Sequence, residues 1–471
     1  MSIAVISGGT ATNELVPLFS SISNKITYIL PISDNGGSTS EIIRIIGGPA
    51  IGDIRSRLTR LIPTNQEPLR KLLSFRLSSD PRSAKIEWNE IVEGSHELWN
   101  GINPSTKEIF RSFFIHVHTE LLKRSKMHNT NKQFRYELAN VGNLFLTGVR
   151  LFIGSLDSAI ELFIRLTGIS SDIHVLPCIN TNFPYHISAL LENGLIITGQ
   201  SQISHPSDNK SYPPVINKTR PPSPTIPPSN DSGEILDFHS DLKLNVQQKK
   251  FPLRASSFHS AVSSDDEESG NTPQYIHPDL KISQLHISKS DNIEPLLSPI
   301  ERIFYISPHG EEICPIAHNR VTTTLSKADC IVFSIGSLMT SVVPVVILKG
   351  VGKAILNNPV KKKILLLNGC HDRETNGMCA IDFVDVLVKS TVYSLGHSTN
   401  ADGGAATAGK DVPWTNVVSH IVYLEDSQIL VDQESLKSKG INCVEVKRLG
   451  DSNYYDPDDL EKKLKAVIME V

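Results

Sequence analysis

Short runs rich in Ile, Val and Leu recur along the chain, each leading into a glycine turn or a stretch of helical character. They are Ile3–Ser7, Ile26–Ile32, Ile173–Pro177, Ile303–Ile306, Ile331–Ile335, Lys363–Leu367 and Ile421–Leu424. Apolar runs without polar alternation suit strands covered on both faces, the pattern of a parallel sheet. Helical segments such as Ser155–Thr167 and Ile381–Lys389 fall between them. The alternation predicts an α/β fold, a parallel sheet with helices on both faces. Residues 186–203 differ: two alternating strands flank Glu192-Asn193-Gly194, and Asn-Gly in that setting predicts a β-hairpin. The chain carries no internal repeat.

This pattern stops near residue 205. Between Ser204 and Pro299 lie 13 of the 28 prolines. Runs such as Pro221-Pro222-Ser223-Pro224 fit neither a helix nor a central strand. An acidic run, Asp265-Asp266-Glu267-Glu268, follows Ser263 and Ser264. Such a segment cannot bury enough apolar surface to offset the entropy of ordering it, so 206–290 is predicted to be a disordered Pro/Ser-rich insertion. Two readings of it stay open, a passive spacer and a phosphorylated or partner-binding segment. The domain reading is one α/β domain in two parts, 1–205 and 291–471, with the insertion between them.

Composition narrows the class. The chain has 471 residues, 39% hydrophobic and 20% charged, with a net charge of −4. That balance argues against a broadly basic, nucleic-acid-binding protein. The longest apolar stretch, Ser341 to Leu356, is broken by Pro344, Lys349, Gly350 and Lys353, so no membrane span is expected. The start, Ile3-Ala4-Val5-Ile6 running into Gly8-Gly9, has the form of a strand and turn, not of a secretory signal. Six cysteines are scattered with no CxxC pair, which argues against a disulfide framework or a structural zinc site. The expectation is a soluble, cytoplasmic protein with reduced thiols and neither nucleic-acid nor membrane partners.

Six motifs could carry chemistry. Ser7-Gly8-Gly9-Thr10-Ala11-Thr12 follows the first strand; glycines let the backbone approach a ligand, and the next helix would aim free N–H groups at a phosphate. It is neither a dinucleotide fingerprint nor a Walker loop. Ser33-Asp34-Asn35-Gly36-Gly37-Ser38-Thr39 follows the second strand, with Ser38 and Glu41 spaced as a capping box. Asp34 there suits a ligand hydroxyl or a divalent cation, or an Asx turn on its own backbone. Gly52-Asp53-Ile54-Arg55 precedes Arg57, Arg60, Arg70, Lys71 and Arg76; Arg55 beside Asp53 is the better phosphate ligand, the others reading as a solvated helix face. Asn143, in Val141-Gly142-Asn143-Leu144, needs a partner if buried, as a cap or as a ligand contact. Gly336-Ser337-Leu338-Met339-Thr340-Ser341 follows a strand and offers small hydroxyls and backbone N–H groups to a diphosphate. The last is Asn368-Gly369-Cys370-His371-Asp372-Arg373-Glu374-Thr375-Asn376-Gly377. Its Cys370-His371 pair is set aside as a nucleophile, because no third group orients it.

Taken in order, these six motifs resemble the CofD-like family, which joins 2-phospho-L-lactate transferases with gluconeogenesis factors of the YvcK type. The resemblance covers about 1–205 and 290–425 and rests on Gly8-Gly9-Thr10, Asp34-Asn35-Gly36-Gly37-Ser38, Gly52-Asp53-Ile54-Arg55, Gly142-Asn143-Leu144, Gly336-Ser337 with Thr340-Ser341 and Pro344, and Glu374-Thr375-Asn376-Gly377. It implies a Rossmann-like fold with its site at the carboxyl ends of the parallel strands. It also implies a ligand that is a nucleotide diphosphate or a UDP-sugar. In the transferase branch a phospholactyl group moves from a nucleotide-activated donor to a deazaflavin alcohol, with Mg2+. The glycine loops would then hold the diphosphate, Asp34 would act as the catalytic residue on the acceptor hydroxyl or as the metal ligand, and Arg55 and Asn143 would position the donor. Glu374 joins the substrate-binding set on the same resemblance. The YvcK branch binds UDP-sugars as a regulator, and the Asp34–Ser38 and Glu374–Gly377 blocks are closer to that branch. Two positions depart from the family pattern: Ala11 replaces the last glycine of a GGTG block, and Ser40 stands where a glycine follows Thr39. A homodimer is compatible with all of these readings.

Overall fold

Seven parallel strands form the centre of the molecule, seen in a computed structural model that describes residues 1–33, 36–127, 133–204, 295–360, 362–396 and 412–469. The predicted insertion lies outside the described residues, as do Asp34 and Asn35. In chain order the strands of this sheet are β1 (Ser2–Ile6), β2 (Lys25–Leu30), β3 (Ile173–Pro177), β8 (Cys330–Phe333), β9 (Lys363–Leu366), β10 (His420–Leu424) and β11 (Asn442–Val446). All pair in parallel, in the spatial order β11-β10-β9-β8-β1-β2-β3. Ile3, Ala4, Val5 and Ile6 of β1 are at most 1% exposed, as the unbroken apolar run requires of a central strand.

From β1 the chain winds outward through β2 to β3, then returns and winds the other way through β9, β10 and β11. The reversal falls between β1 and β8, which are neighbours in register from Ile3 opposite Cys330 to Ile6 opposite Phe333. In open α/β sheets this switch point leaves a crevice at the carboxyl ends of the strands, because the two outgoing connections diverge to opposite faces.

The 186–203 reading holds: β4 (His186–Leu191) and β5 (Ile196–Thr198) form a hairpin with Gly194 at φ +82°. The run at Ile303–Ile306 is corrected. It belongs to β6 (Ile300–Ile306), which pairs antiparallel with β4 and with β7 (Glu312–Ile313) in a separate four-stranded sheet. Its alternating neighbours, not its own apolar composition, decide the pairing. This small sheet packs on the main body through Tyr305, whose hydroxyl donates to the Pro344 carbonyl at 2.9 Å.

Between β2 and β3 stands a helical block. Its helices include 37–45, 52–61, 67–74, 81–93, 104–127, 141–153 and 156–167. Asn140 caps the 141–153 helix, accepting from the Gly142 and Asn143 amides, and Gly154 ends it in the left-handed region. Phe110 stacks on Phe145 with centroids 4.4 Å apart, and Trp88 meets Phe114 edge-on, so aromatic area holds these helices together. Among the described residues, no helix is long and apolar enough to cross a membrane.

Candidate functional site

The loop after β1 is closed against two other segments. A Cβ placed on Gly8 would stand 2.5 Å from Ser341 Oγ, and one on Gly9 would stand 2.1 Å from Asp53 Oδ1 and 3.1 Å from the Asp53 Cα. The two glycines are therefore required by close approach. They bring the β1 loop, the start of the 52–61 helix and the segment after β8 to one place. Gly8 and Gly9 are buried, whereas Thr10 is exposed at the start of the next helix.

Arg57 lies beneath this loop, fully buried. Its Nε donates to Asn13 Oδ1 at 2.7 Å and its Nη2 to the Gly8 carbonyl at 3.0 Å. The guanidinium sits 4.5 Å from the centre of the Tyr28 ring. Burial pulls its pKa down to about 10, which leaves it charged near neutrality. The expectation of a solvated Arg57 is thereby corrected. One helical turn inward from the exposed Arg60, it points at the sheet and fixes the carbonyls of the glycine loop. An arginine at this spacing behind a glycine turn was the available sequence signal.

The second glycine loop leads into the 37–45 helix, capped by Gly36 with no side-chain cap bond, and Gly37 is at φ +58°. The capping-box reading is corrected. Ser38 Oγ accepts from Asn143 Nδ2 at 2.6 Å, and Glu41, 1% exposed, pairs with Arg44 at 2.6 Å and with Arg135 at 3.3 Å. A capping glutamate must fold back over the helix start, and the two arginines draw this one away. Asn143 Oδ1 in turn accepts from Arg55 Nε at 3.1 Å. Ser38, Asn143 and Arg55 thus form one chain of hydrogen bonds. Its asparagine is fully buried and holds Ser38 and Arg55 in place. Burial, with the charge of Arg76 adding to it, pulls Arg55 down to about 10, and Asp53 opposes that shift.

The segment after β8 is tied to both neighbours. Thr12 Oγ1 donates to the Ile335 carbonyl at 2.8 Å, linking it to the β1 loop. Gly336, at φ +126°, and Asn368 exchange two hydrogen bonds at 3.0 and 2.8 Å, linking it to the loop after β9. Ser337 caps the turn that follows by accepting from the Thr340 amide at 3.0 Å. Glu374 braces it: its carboxylate accepts from Thr340 Oγ1 at 2.9 Å, from the Thr340 amide at 3.2 Å, from Ser204 Oγ at 2.5 Å and from Ser337 Oγ. Burial, with Asp372 nearby, pushes the Glu374 carboxyl up, and the three hydroxyls only partly reverse this. Burial, with the charge of Asp372 adding to it, pushes the Cys370 thiol up, and His371 Nδ1 lies 2.8 Å from the Thr375 carbonyl.

The structure therefore brings Gly8, Gly9, Asp53 and Ser341 together, and it joins Ser38, Asn143 and Arg55 in one network and Ser337, Thr340 and Glu374 in another. Gly336 is held at the mouth of β8. Asp34 and Asn35 lie outside the described residues. Among the described residues no group of three or more His, Cys, Asp or Glu side chains is spaced to hold a metal. Mg2+ asks for less than that, since it keeps several waters and binds through one or two carboxylates plus phosphate. Asp53, a hard oxygen donor against Gly9, fits such a role.

A model of the 2-phospho-L-lactate transferase CofD family matches residues 3–449. An uncharacterized protein of Saccharomyces cerevisiae, YNL011C, is 44% identical over 99% of both chains. A putative gluconeogenesis factor of Clostridium acetobutylicum is 25% identical over 37% of this chain and 36% of its own. Protein BH3568 of Bacillus halodurans, solved by X-ray crystallography and described as a member of the UPF0052 family, superimposes with a TM-score of 0.55 at 16% identity, covering 100% of this chain and 99% of that one. At that identity the likeness concerns the fold.

Proposed function

Because the chain belongs to the 2-phospho-L-lactate transferase CofD family, we propose that it binds a nucleotide diphosphate derivative in the crevice between the β1 and β8 loops and transfers a phospho-group from it. The observation that carries this reading is the switch point itself. Gly8-Gly9 and the Gly336–Ser341 segment leave adjacent strands at their carboxyl ends and meet there against Asp53. Backbone N–H groups at such a place suit a diphosphate, whose charge the positive ends of the helices at 37–45 and 52–61, together with Arg55, would offset.

In the transferase reading an acceptor hydroxyl attacks the phosphorus of the activated donor. An O–P bond forms, the P–O bond to the nucleotide breaks, the nucleoside monophosphate leaves, and the hydroxyl proton passes to a base, for which Asp34 is the candidate. Bound Mg2+ would neutralise phosphate charge, with Asp34 and Asp53 as its protein ligands. The chain's own share is positional: Arg57 sets the glycine loop, Asn143 sets Ser38 and Arg55, and Glu374 sets Ser337 and Thr340. The partial match to a putative gluconeogenesis factor supports a second reading, a regulator that binds a UDP-sugar without turnover.

Thermal-shift and calorimetric titrations with nucleoside diphosphates and UDP-sugars, with and without Mg2+, test the proposal. Asp34→Asn should weaken Mg2+-dependent binding more than Mg2+-free binding. Asn143→Ala should weaken both by about 0.5–1.5 kcal/mol. A wild-type protein that binds none of these nucleotides, or variants with unchanged affinity, would place the site elsewhere. Tight UDP-sugar binding with no phospho-transfer would favour the regulator.

A further inference from the structure

The amino end of the sheet carries a second concavity, on the edge opposite the switch-point loops. Lys363, His420 and Asn442 are the first residues of β9, β10 and β11, and because these strands run parallel the three stand side by side at that edge. They line a cavity of about 570 Å³ together with Lys362, Ser419 and Thr415. That size matches pockets for small metabolites.

None of the described lining residues is acidic, while two lysines and a histidine are among them. Lys363 is only 3% exposed, and its Nζ donates to the carbonyls of Asn416 at 2.7 Å and Asn358 at 3.4 Å. Among the described residues this buried ammonium meets neutral carbonyls and no carboxylate, an arrangement that costs free energy unless an anion completes it. Burial accordingly pulls Lys363 down to about 8. His420 is fixed in place, its Nδ1 at 2.8 Å from Ser419 Oγ and its Nε2 at 3.3 Å from Asn442 Nδ2. Both ring nitrogens of His420 are thus spent within the protein, and the donors lining the cavity are the Lys362 and Lys363 ammonium groups, the Thr415 hydroxyl and the Asn442 amide, with more positive charge than one carboxylate would offset. They match the three oxygens and double charge of a phosphate monoester.

We propose that this cavity binds a small phosphorylated metabolite, at a site separate from the switch-point crevice and independent of what binds there. Trp414 offers a local reporter. It directly precedes the lining residues Thr415 and Asn416, and the Lys439 ammonium lies 5.0 Å over its ring. The other two tryptophans, Trp88 and Trp99, are buried in the helical block.

The test is to titrate the full chain with inorganic phosphate and follow tryptophan fluorescence. A saturable change is expected in the wild type and should vanish in Trp414→Phe. Lys362→Gln and Lys363→Met should each weaken it about tenfold or more, the effect of removing one charge-assisted contact. Lys363→Met alters a buried residue, so its folding is checked by its melting transition; if it fails to fold, the half-exposed Lys362→Gln decides. No saturable response at millimolar phosphate, a response that survives Trp414→Phe, or unchanged affinity in Lys362→Gln overturns the proposal.

Discussion

Arg57 and Glu374 are buried ionisable groups at the two loops that meet at the switch point, and they are held in opposite ways. Arg57 faces mainly acceptors that cannot change role, the Gly8 and Gly9 carbonyls and the Asn13 side-chain oxygen, with the Ser7 hydroxyl as an adaptable partner. It must stay cationic to satisfy them, and a pKa near 10 lets it do so at neutral pH. Glu374 faces the hydroxyls of Ser204, Ser337 and Thr340, which donate or accept as needed, and a single obligate donor, the Thr340 amide. A carboxyl in that setting can gain or lose its proton without stranding a partner. The β1 side is thus braced rigidly, while the β8 side is braced by a group that tolerates a change of charge. A loop pressed against a helix needs the first kind of brace; one that ends in a short capped turn can use the second.

The largest effect should come from breaking the rigid brace. Arg57→Met keeps the aliphatic bulk and removes the guanidinium donors beneath the loop. Stranding the buried acceptors should cost about 3–5 kcal/mol, enough to lower the melting temperature by many degrees and to abolish nucleotide binding. Arg57→Lys should recover little, since one ammonium cannot span Asn13 and the loop carbonyls together. A loss under about 1 kcal/mol in urea unfolding would show that the loop does not depend on Arg57.

A smaller effect tests the same side from above. Gly9→Ala sets a methyl against the Asp53 backbone and carboxylate, whereas Gly8→Ala meets chiefly the movable Ser341 side chain. Overpacking of the first kind costs about 1–3 kcal/mol. Gly9→Ala is therefore expected to lose stability and binding together, with Gly8→Ala clearly milder on both. Equal effects of the two, measured by melting and by calorimetry with UDP-sugars, would mean that the 52–61 helix moves as easily as a side chain does.

The two sides also differ in how legible they were from sequence. The strands before each loop, and the glycines themselves, follow from local pattern: an apolar run, then a residue that tolerates close approach. So β1, β2, β3, β8, β9 and β10 were readable, and so were Gly8, Gly9, Gly336 and Asn143. Arg57 was not, because its importance comes from facing the sheet in a helix of mixed charge that otherwise looks solvated. Glu41 misled for a related reason, its spacing from Ser38 being local and its arginine partner Arg135 distant. The 104–127 helix is hard to read from local pattern because it is apolar on two sides, with Phe110, Phe114 and Leu121 buried but Ile109, Ile115 and Leu122 exposed. β11 is an edge strand whose residues are exposed or half-buried up to Val446, and it lacks the unbroken apolar run of the others.

The smallest expected effect is the sharpest test of the contrast. Burial raises the Glu374 carboxyl above the ordinary glutamate value of 4.5, with Asp372 adding to the shift. The folded protein then holds this proton more tightly than the unfolded chain does. The contribution of Glu374 to stability is therefore fully present below about pH 4.5 and is lost as pH rises through the raised folded value. Glu374→Gln removes the titration and keeps the shape. Its amide oxygen can accept from the Thr340 backbone N–H, while its amide nitrogen faces the Ser204 and Thr340 hydroxyls, which can turn to accept. At pH 4–5 the variant should match the wild type to within about 1 kcal/mol. As the pH is raised toward 8 it should gain on the wild type, with the difference in melting temperature moving steadily in its favour. A difference that stays flat across this range would mean that Glu374 ionises at no cost among its hydroxyls, and the β8 side would then be as fixed in charge as the β1 side.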